Sequence, residues 1–345
     1  MTYTIQEITD LAADVDAFVD AHPAGLMCHR TDYGAFFRQL YGYEPHYLCA
    51  RNSAGHVLGV MPLQHTRHWL TGNRLVNGYG HNYGGILCDD SQIAADLADA
   101  SVKLGQRLGV ERIEYMSLLP IPTQYPLHIS REKVAMWVKV CQNETGQWDT
   151  IHGKSRNQVR KGQKSGYEIE SGGVNRLDDF YRIYTYRMRE LGTPAFPKPY
   201  LKGILERWPE NARLFLVRIG GQCAGGGFVR WYKDIMEIPL AAVLEEYNPA
   251  CANLFMYWEI LKFAVECKMK WLDLGRCDRE GPTYRFKERL GGEERPLHYC
   301  TWVPEGTKFE PFSPDSPRYR RKVELWKRLP LWFTRLAGPW ISKGF

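Results

Sequence analysis

Positive charge is concentrated in a basic run at residues 154–164. It contains five cations and no carboxylate, and the cations are Lys154, Arg156, Arg160, Lys161 and Lys164. Arg156, Arg160 and Lys164 recur every four residues, so they share one face if the run is helical. Stacked like charges repel each other, and a phosphate-bearing ligand relieves that repulsion well. We therefore predict a helical face that binds a polyanion, with a solvated helix surface as the alternative.

A second group of charged residues follows the predicted buried strand Lys270–Gly275. Open α/β sheets present ligand-binding groups at the carboxyl ends of their strands. Three cations in and after this strand could converge on an anion, and they are Arg276, Lys287 and Arg289. The alternative is a surface ion pair that only fixes a loop, formed by Asp273 with Arg276 or by Asp278 with Arg279.

These residues need a scaffold, and the same order of elements is predicted twice. Alternating apolar residues predict one β-hairpin from His46–Ala50 and Val57–Leu63, and another from Arg213–Arg218 and Cys223–Val229. Each is followed by a strand-like segment, a helix (Ile93–Leu108 or Asn253–Cys267) and a further strand. Two such units can arise independently in an α/β protein, but their shared order is that of an N-acetyltransferase-like (GNAT-like) fold.

We therefore predict an α/β (α+β) chain with tandem GNAT-like domains, each a mixed twisted sheet flanked by helices. The polar stretch Gln142–Asp149 is the expected boundary. The predicted domains are residues 1–147 and 148–305, followed by a basic and aromatic tail at 306–345.

Several segments of the second half also resemble one known family. They are Arg156–Tyr167, Tyr184–Pro197, Met256–Glu259, Leu272–Arg276, Tyr284–Gly292 and Pro296–Tyr299, with weaker agreement at Gly59–Leu63 and Tyr83–Gly85. These motifs resemble the FemAB group of aminoacyltransferases within the GNAT-like superfamily. The resemblance is closest to the FemAB-related proteins associated with PEP-CTERM/exosortase and exopolysaccharide loci, and it covers most of the chain.

The resemblance implies catalytic roles for two residues. Phe286-Lys287 resembles a Phe-Lys pair whose lysine steadies negative charge on the attacked carbonyl, and one preplaced cation contributes roughly 3 to 4 kcal/mol to such a step. Asp89, or its neighbour Asp90, falls near an acid implicated in catalysis, where it could act as a general base. A surface turn is the alternative for this Asp pair.

The resemblance also implies substrate-binding roles. Tyr186 and Arg187 resemble residues that hold the acceptor's phosphates, which suits the planar fork of arginine, although Arg187 could equally lie on a helix surface. Arg38 resembles a substrate-contacting lysine. The candidate substrate-binding residues are therefore Arg38, Arg156, Arg160, Lys164, Tyr186, Arg187, Arg276, Phe286 and Arg289.

The sequence also bears on the identity of the acyl donor. Acetyl-CoA enzymes of this fold hold pyrophosphate with a glycine-rich loop at a helix N-terminus, but the equivalent segment Glu246–Asn253 has no glycine. Gly225–Gly227 lies in a predicted strand and is expected to mark close packing or a bulge. The resemblance implies an aminoacyl-tRNA or similar activated ester as donor, with no cofactor. The acceptor would be a lipid- or nucleotide-linked envelope precursor, either a peptidoglycan-type peptide or an exopolysaccharide amino sugar.

Two other functions stay open. One is a CoA-dependent N-acyltransferase of the GNAT superfamily, and the other is a non-catalytic binding or assembly factor for envelope polysaccharide. A metal site is not expected, because the nine cysteines are scattered without a CxxC pair and the histidines lack a second ligand set.

The net charge of +6 is modest, but cations gather with aromatic residues in the tail. The cations are Arg320, Arg321, Lys322, Lys327 and Arg328, and the aromatic residues are Trp326, Trp332 and Phe333. This composition is typical of an interfacial segment. With no long apolar stretch and no signal-like N-terminus, we expect a cytoplasmic protein whose tail either contacts the inner face of the membrane or packs back on the first domain.

Overall fold

The computed structural model describes residues 2–129, 133–309 and 317–344 of the chain. These residues form two compact units, the first within Met1–Val134 and Arg295–Phe312 and the second within Ala135–Glu294 and Ser313–Lys343. The predicted boundary stretch lies inside the second unit. There the Asn143 side chain accepts a hydrogen bond from the N–H of Gly146 at 2.8 Å and caps a short helix. Residues 295–309 belong to the first unit, although the predicted second domain extends to residue 305.

Strands and helices are interspersed along the described residues. Up to residue 129 they are β1 Tyr3–Ile8, α1 Ala13–Ala21, α2 Thr31–Tyr41, β2 Glu44–Asn52, β3 Val57–His68, β4 Gly72–Asn77, β5 Leu87–Cys88, α3 Ser91–Leu108, β6 Arg112–Ser117 and β7 His128–Ile129. They continue with β8 Lys133–Lys139, α4 Glu144–Thr150, α5 Gly153–Lys164, β9 Glu168–Gly172, α6 Leu177–Leu191, α7 Lys198–Arg207, β10 Ala212–Ile219, β11 Gln222–Tyr232, β12 Ile235–Val243, α8 Ala252–Glu266, β13 Trp271–Asp278, α9 Pro282–Glu288, β14 Gly292–Trp302, α10 Pro317–Arg328 and α11 Leu331–Ser342.

The first unit contains the sheet order β1-β2-β3-β4-β6-β14. Strands β2 and β3 form the predicted hairpin, and β4 lies antiparallel to β3. Helix α3 then returns the chain to β6, which runs parallel to β4. Asp90 starts α3 by accepting the N–H of Gln92 at 2.8 Å, so this carboxylate is a helix cap. The core of this unit is formed by apolar residues of α3 and the strands, among them Leu97, Val102 and Ile113.

The second unit repeats this wiring, with the sheet order β8-β13-β12-β11-β10-β9. Strands β10 and β11 form the second predicted hairpin, and β12 lies antiparallel to β11. Helix α8 then leads to β13, which runs parallel to β12. The repeated order of hairpin, strand, helix and parallel strand confirms the predicted fold class.

The three glycines of β11 allow helices to pack closely on both faces of the second sheet. A Cβ on Gly226 would lie 2.7 Å from the backbone oxygen of Phe215 and 3.0 Å from Phe180 of α6. A Cβ on Gly227 would lie 3.0 Å from Ile260 of α8. Successive strand residues point to opposite faces, so α6 and α8 cover opposite faces of the sheet. The prediction that these glycines mark close packing is confirmed.

The Gly226→Ala substitution should therefore lower the free energy of unfolding by about 1 to 3 kcal/mol, because a backbone oxygen cannot move aside for the new methyl group. Gly153→Ala is the matched control, since no heavy atom lies within 4 Å of its Cβ position and it sits in helix α5. Denaturant titration measures both variants. Equal free energies of unfolding of the Gly226→Ala and Gly153→Ala variants would contradict the close packing at Gly226.

Candidate active site

The parallel strands β12 and β13 separate towards their carboxyl ends. Their pairing joins Ile235–Glu237 to Trp271–Asp273, whereas β12 continues to Val243 and β13 to Asp278. Beyond Glu237 and Asp273 the two strands are therefore no longer paired with each other. This is the position at which α/β sheets present groups to ligands, as predicted for the end of β13.

Lys287 of α9 lies against the end of β13. Its side chain is only 5% exposed, and its Nζ donates to the carbonyls of Gly275 at 2.8 Å and Arg276 at 2.9 Å. An ammonium group has three N–H donors, so one remains without a partner among the described residues. Burial lowers the pKa of Lys287, while Cys277 and Asp273 act to raise it and Arg276 to lower it. One N–H of this buried ammonium is thus left over, and the catalytic role of Lys287 stays a prediction.

Asp273 shapes the turn that Lys287 binds. Its side chain is completely buried, and its Oδ1 accepts the N–H of Gly275 at 2.7 Å. Gly275 has a φ of +80°, a conformation that glycine adopts without strain. The carboxylate therefore fixes the backbone whose carbonyls hold Lys287. Asp273 is therefore a buried positioning residue for Lys287.

Aromatic contacts attach α9 to α8. The rings of Phe286 and Tyr257 meet edge to face with centroids 5.1 Å apart. Burial raises the pKa of Tyr257 to about 12, so this phenol stays protonated. Its hydroxyl makes no hydrogen bond to the described residues. Tyr257 belongs to the motif Met256–Glu259 and is not among the predicted site residues. Its proximity to Phe286 becomes apparent only in the fold.

The basic run forms helix α5, as predicted, and packs beside the same elements. Ser155, Val159 and Gly162 are buried on one face, and a Cβ on Gly162 would lie 2.8 Å from Phe255 of α8. The N–H of His152, which precedes α5, donates to the carbonyl of Arg289 at 3.0 Å, just after α9. Helix α5 is therefore joined to both helices that carry the candidate site.

Most cations of α5 point away from that buried face. Arg160 is exposed, and its guanidinium lies 5.2 Å from the ring of Trp148, which in turn meets Trp258 of α8 edge to face at 4.8 Å. Arg156 pairs with Asp149 at 3.3 Å. Within the described ranges, the side chains of Lys154, Arg160, Lys161 and Lys164 have no carboxylate partner. Binding of a polyanion by this face stays a prediction, and Arg156 is the least available of its members.

The α6 candidates are already engaged by carboxylates. Arg187 pairs with Glu190 and lies 3.6 Å from Glu245, which follows the end of β12. The ring of Tyr186 lies 5.3 Å from the guanidinium of Arg189, and a hydrogen bond with Glu190 raises the pKa of Tyr186. Arg187 therefore lies near the carboxyl end of β12, but its guanidinium does not present the open fork expected for phosphate binding.

The two candidates in the first unit lie at its surface. The Asp89 side chain is 93% exposed and lies 3.2 Å from Nε2 of His22. Arg38 pairs with both Asp10 and Glu44 at 2.8 Å. Exposure leaves Asp89 in water, and Arg38 would have to exchange carboxylates for a substrate. The catalytic role of Asp89 and the substrate role of Arg38 stay predictions.

The segment Glu246–Asn253, which corresponds to the CoA pyrophosphate loop, lacks the glycines that give that loop its backbone flexibility. It leads into α8 through Cys251, a non-glycine residue with a φ of +63° that is 9% exposed. The neighbouring aromatic rings of Tyr167 and Tyr247 pack 6.4 Å apart. Elsewhere, the described parts of the chain contain no cluster of three or more His, Cys, Asp or Glu side chains arranged to hold a metal. No helix in those parts is long and apolar enough to cross a membrane.

Comparisons with known proteins agree with this geometry. Residues 153–288 match the family described as the Acetyltransferase (GNAT) domain. The crystal structure of FemX is similar over 94% of this chain and 100% of its own, with 13% identity and a TM-score of 0.66. A tandem GNAT protein from the clavulanic acid biosynthesis pathway is similar over 88% and 100%, with 12% identity and a TM-score of 0.55. No curated protein sequence matches the chain.

A third solved structure is the C-terminal domain of a putative lysylphosphatidylglycerol synthetase from Agrobacterium fabrum. It covers 74% of this chain and 83% of its own, with 14% identity and a TM-score of 0.51. At these identities the likenesses establish the fold. The second unit holds the matched GNAT domain, and the chain has the fold of tandem GNAT proteins, so the predicted enzyme class is confirmed: the protein is an acyltransferase of the GNAT fold, which implies an activated acyl donor and an amine acceptor.

Proposed function

We propose that the chain transfers an aminoacyl group from an aminoacyl-tRNA-like ester to an amine of a cell-envelope precursor. The acceptor is a peptidoglycan-type peptide or an exopolysaccharide amino sugar. In this reaction the neutral amine attacks the ester carbonyl, a C–N bond forms and the C–O bond breaks. The departing hydroxyl takes the proton that the amine loses, so the reaction needs no redox partner.

The site chemistry fits this step. Attack on the ester places negative charge on the carbonyl oxygen, and the remaining N–H of Lys287 is available to bind it. Because two backbone carbonyls already hold the ammonium, it needs no rearrangement during the reaction. An activated ester also leaves without a covalent enzyme nucleophile, so positioning of the two substrates supplies much of the rate.

The observation that carries the choice of donor is the exposed face of α5. Its cations lack carboxylate partners within the described ranges, and they lie on a helix that contacts both α8 and α9. A polyphosphate chain such as RNA would neutralise them. Trp148 beside Arg160 adds an aromatic surface of the kind on which bases stack.

CoA-dependent N-acyl transfer is the second candidate. It is favoured by the match of residues 153–288 to a family described as an acetyltransferase (GNAT) domain. The absence of glycine from Glu246–Asn253 weighs against it.

Loss of the ester bond of the donor tests the proposed function. The full chain is incubated with a charged tRNA mixture and an envelope-precursor extract, and the ester remaining on the tRNA is measured over time. We expect loss that depends on both the protein and the precursor. Persistence of the ester together with consumption of acetyl-CoA would favour the second candidate. Consumption of neither donor would favour the non-catalytic binding factor.

The basic face gives a separate prediction on binding. Arg160→Ala and Lys164→Ala should each weaken the binding of tRNA and reduce the slope of log affinity against log salt by up to about 0.9, whereas Arg156→Ala should have the smallest effect because it is paired. Lys202→Ala, an exposed cation of α7, is the matched control. Fluorescence titrations at several salt concentrations measure the slopes. Unchanged slopes in the α5 variants would show that this face is only a solvated helix surface.

A further inference from the structure

The last helix, α11, packs on the second unit through its small and polar residues. Thr334 and Ser342 are buried, and Gly338 lies between them at the same four-residue spacing. The hydroxyl of Ser342 donates to the carbonyl of Ala195 at 2.9 Å, and a Cβ on Gly338 would lie 3.3 Å from the nitrogen of Ala195. The tail helices thus pack on the second unit, whereas the sequence allowed for packing on the first domain.

The opposite face of α11 presents its large apolar side chains to solvent. Trp332, Leu336 and Trp340 follow one another every four residues and are 68%, 64% and 62% exposed. Phe333 beside them is 37% exposed, and Leu325 of α10 is 63% exposed. A surface helix of a globular protein normally has the reverse arrangement, with apolar residues facing the core. Such a group of exposed apolar residues is typical of an interaction surface.

The charge of the same segment is strongly positive. Residues 317–343 contain eight Lys and Arg and one Glu, so their net charge is 8 − 1 = +7. Since the whole chain carries +6, the remaining residues sum to −1. The cations Arg321, Lys322 and Arg328 are exposed, and the ammonium of Lys343 lies 4.4 Å from the ring of Trp340. The excess positive charge of the chain therefore lies in the same segment as the exposed apolar face.

We infer that α10 and α11 form a docking surface for the headgroup region of an anionic lipid bilayer. Indole rings prefer the membrane interface, where their apolar body and polar N–H are both satisfied. The surrounding cations of one sign match negative lipid headgroups, which attract each nearby Lys or Arg independently of its exact position. A protein partner would require a complementary acidic and apolar surface, and nothing in the arrangement selects one. This inference does not depend on the identity of the acyl donor.

Vesicle binding of the full chain tests the inference. The vesicles are made either of phosphatidylcholine alone or of a mixture with phosphatidylglycerol, and bound protein is measured by co-sedimentation at low and high salt. We expect partial binding to the anionic vesicles at low salt, at least about tenfold weaker at high salt and weaker again on neutral vesicles. Neither the electrostatic attraction nor the insertion of apolar side chains is strong alone, so binding should be reversible.

Two sets of variants separate the apolar and electrostatic contributions. Trp332→Ser, Leu336→Ser and Trp340→Ser are combined in one variant, and Arg321→Gln, Lys322→Gln and Arg328→Gln in another; all six positions are exposed, so folding should persist. Each should weaken binding about tenfold or more. Matched controls change exposed residues elsewhere, namely Leu11, Trp69 and Leu119 to Ser, or Arg67, Lys103 and Lys268 to Gln. These controls should bind like the unmodified chain.

Several results would overturn the inference. The unmodified chain could fail to bind anionic vesicles at low salt, or the tail variants could bind as well as their controls. Sedimentation velocity without lipid gives a third test. If the chain self-associates and the Trp332, Leu336 and Trp340 substitutions abolish that association without affecting vesicle binding, the face is an interface between protein copies.

Discussion

Replacing Lys287 with methionine should lower turnover by a factor of at least about a hundred. Methionine keeps the apolar length of the side chain but removes the ammonium, so the developing oxyanion loses its donor. The binding of either substrate should change much less, because the lost interaction forms mainly in the transition state. Steady-state rates at saturating donor and acceptor measure the effect.

The Lys287→Met variant also needs a stability control. Lys287 is buried and bonds to two backbone carbonyls, so its loss should reduce the free energy of unfolding by about 1 to 3 kcal/mol. Rates are therefore compared at a temperature where denaturation curves show both proteins folded. Lys202→Met on the exposed surface of α7 is the matched variant and should keep normal turnover. Normal turnover in Lys287→Met would remove this residue from the mechanism.

Asp273→Asn should move the alkaline limb of the pH–rate profile to lower pH. Burial lowers the pKa of Lys287, and the Asp273 carboxylate partly offsets this by raising it. If the protonated ammonium is the active form, activity falls as pH rises through that pKa. Neutralising Asp273 should lower the pKa further, so activity should be lost at a lower pH than in the unmodified chain.

The direction of that shift distinguishes positioning from simple structural support. Asparagine keeps an oxygen that can accept the N–H of Gly275, so Asp273→Asn should retain the turn. Asp273→Ala removes the acceptor and should lower both stability and turnover. A fall in turnover with an unchanged pH profile would make Asp273 only structural. If activity instead rises through the alkaline range, Lys287 acts as a neutral base and the oxyanion role is wrong.

Much of the fold was predictable because its signals are local. Alternating apolar residues define both hairpins, and the apolar spacing before Gly109 defines α3. The run with cations every four residues is helix α5, with Ser155 and Val159 on its buried face. These features depend on neighbouring residues alone, which a single sequence displays.

The features that were not predictable depend on residues far apart in the chain. Residues 295–302 belong to the first unit because β14 pairs with β6, and this pairing has no sequence signal. The burial of Lys287 depends on the turn at Gly275, and the engagement of Arg187 depends on Glu245 after β12. Residue types identified the candidates. Only the fold shows that Lys287 keeps one N–H without a partner among the described residues, whereas Arg187 is already paired with carboxylates.

The most direct test is the mass of the acceptor after reaction with both donors present. Charged tRNA and acetyl-CoA are supplied together with envelope precursors, and the products are measured by mass spectrometry with the unmodified chain and with Lys287→Met. We predict that a precursor gains the mass of an aminoacyl residue, and that this product falls at least about a hundredfold in the variant. A precursor that gains only an acetyl group, or an aminoacyl product formed equally by both proteins, would contradict the proposed function.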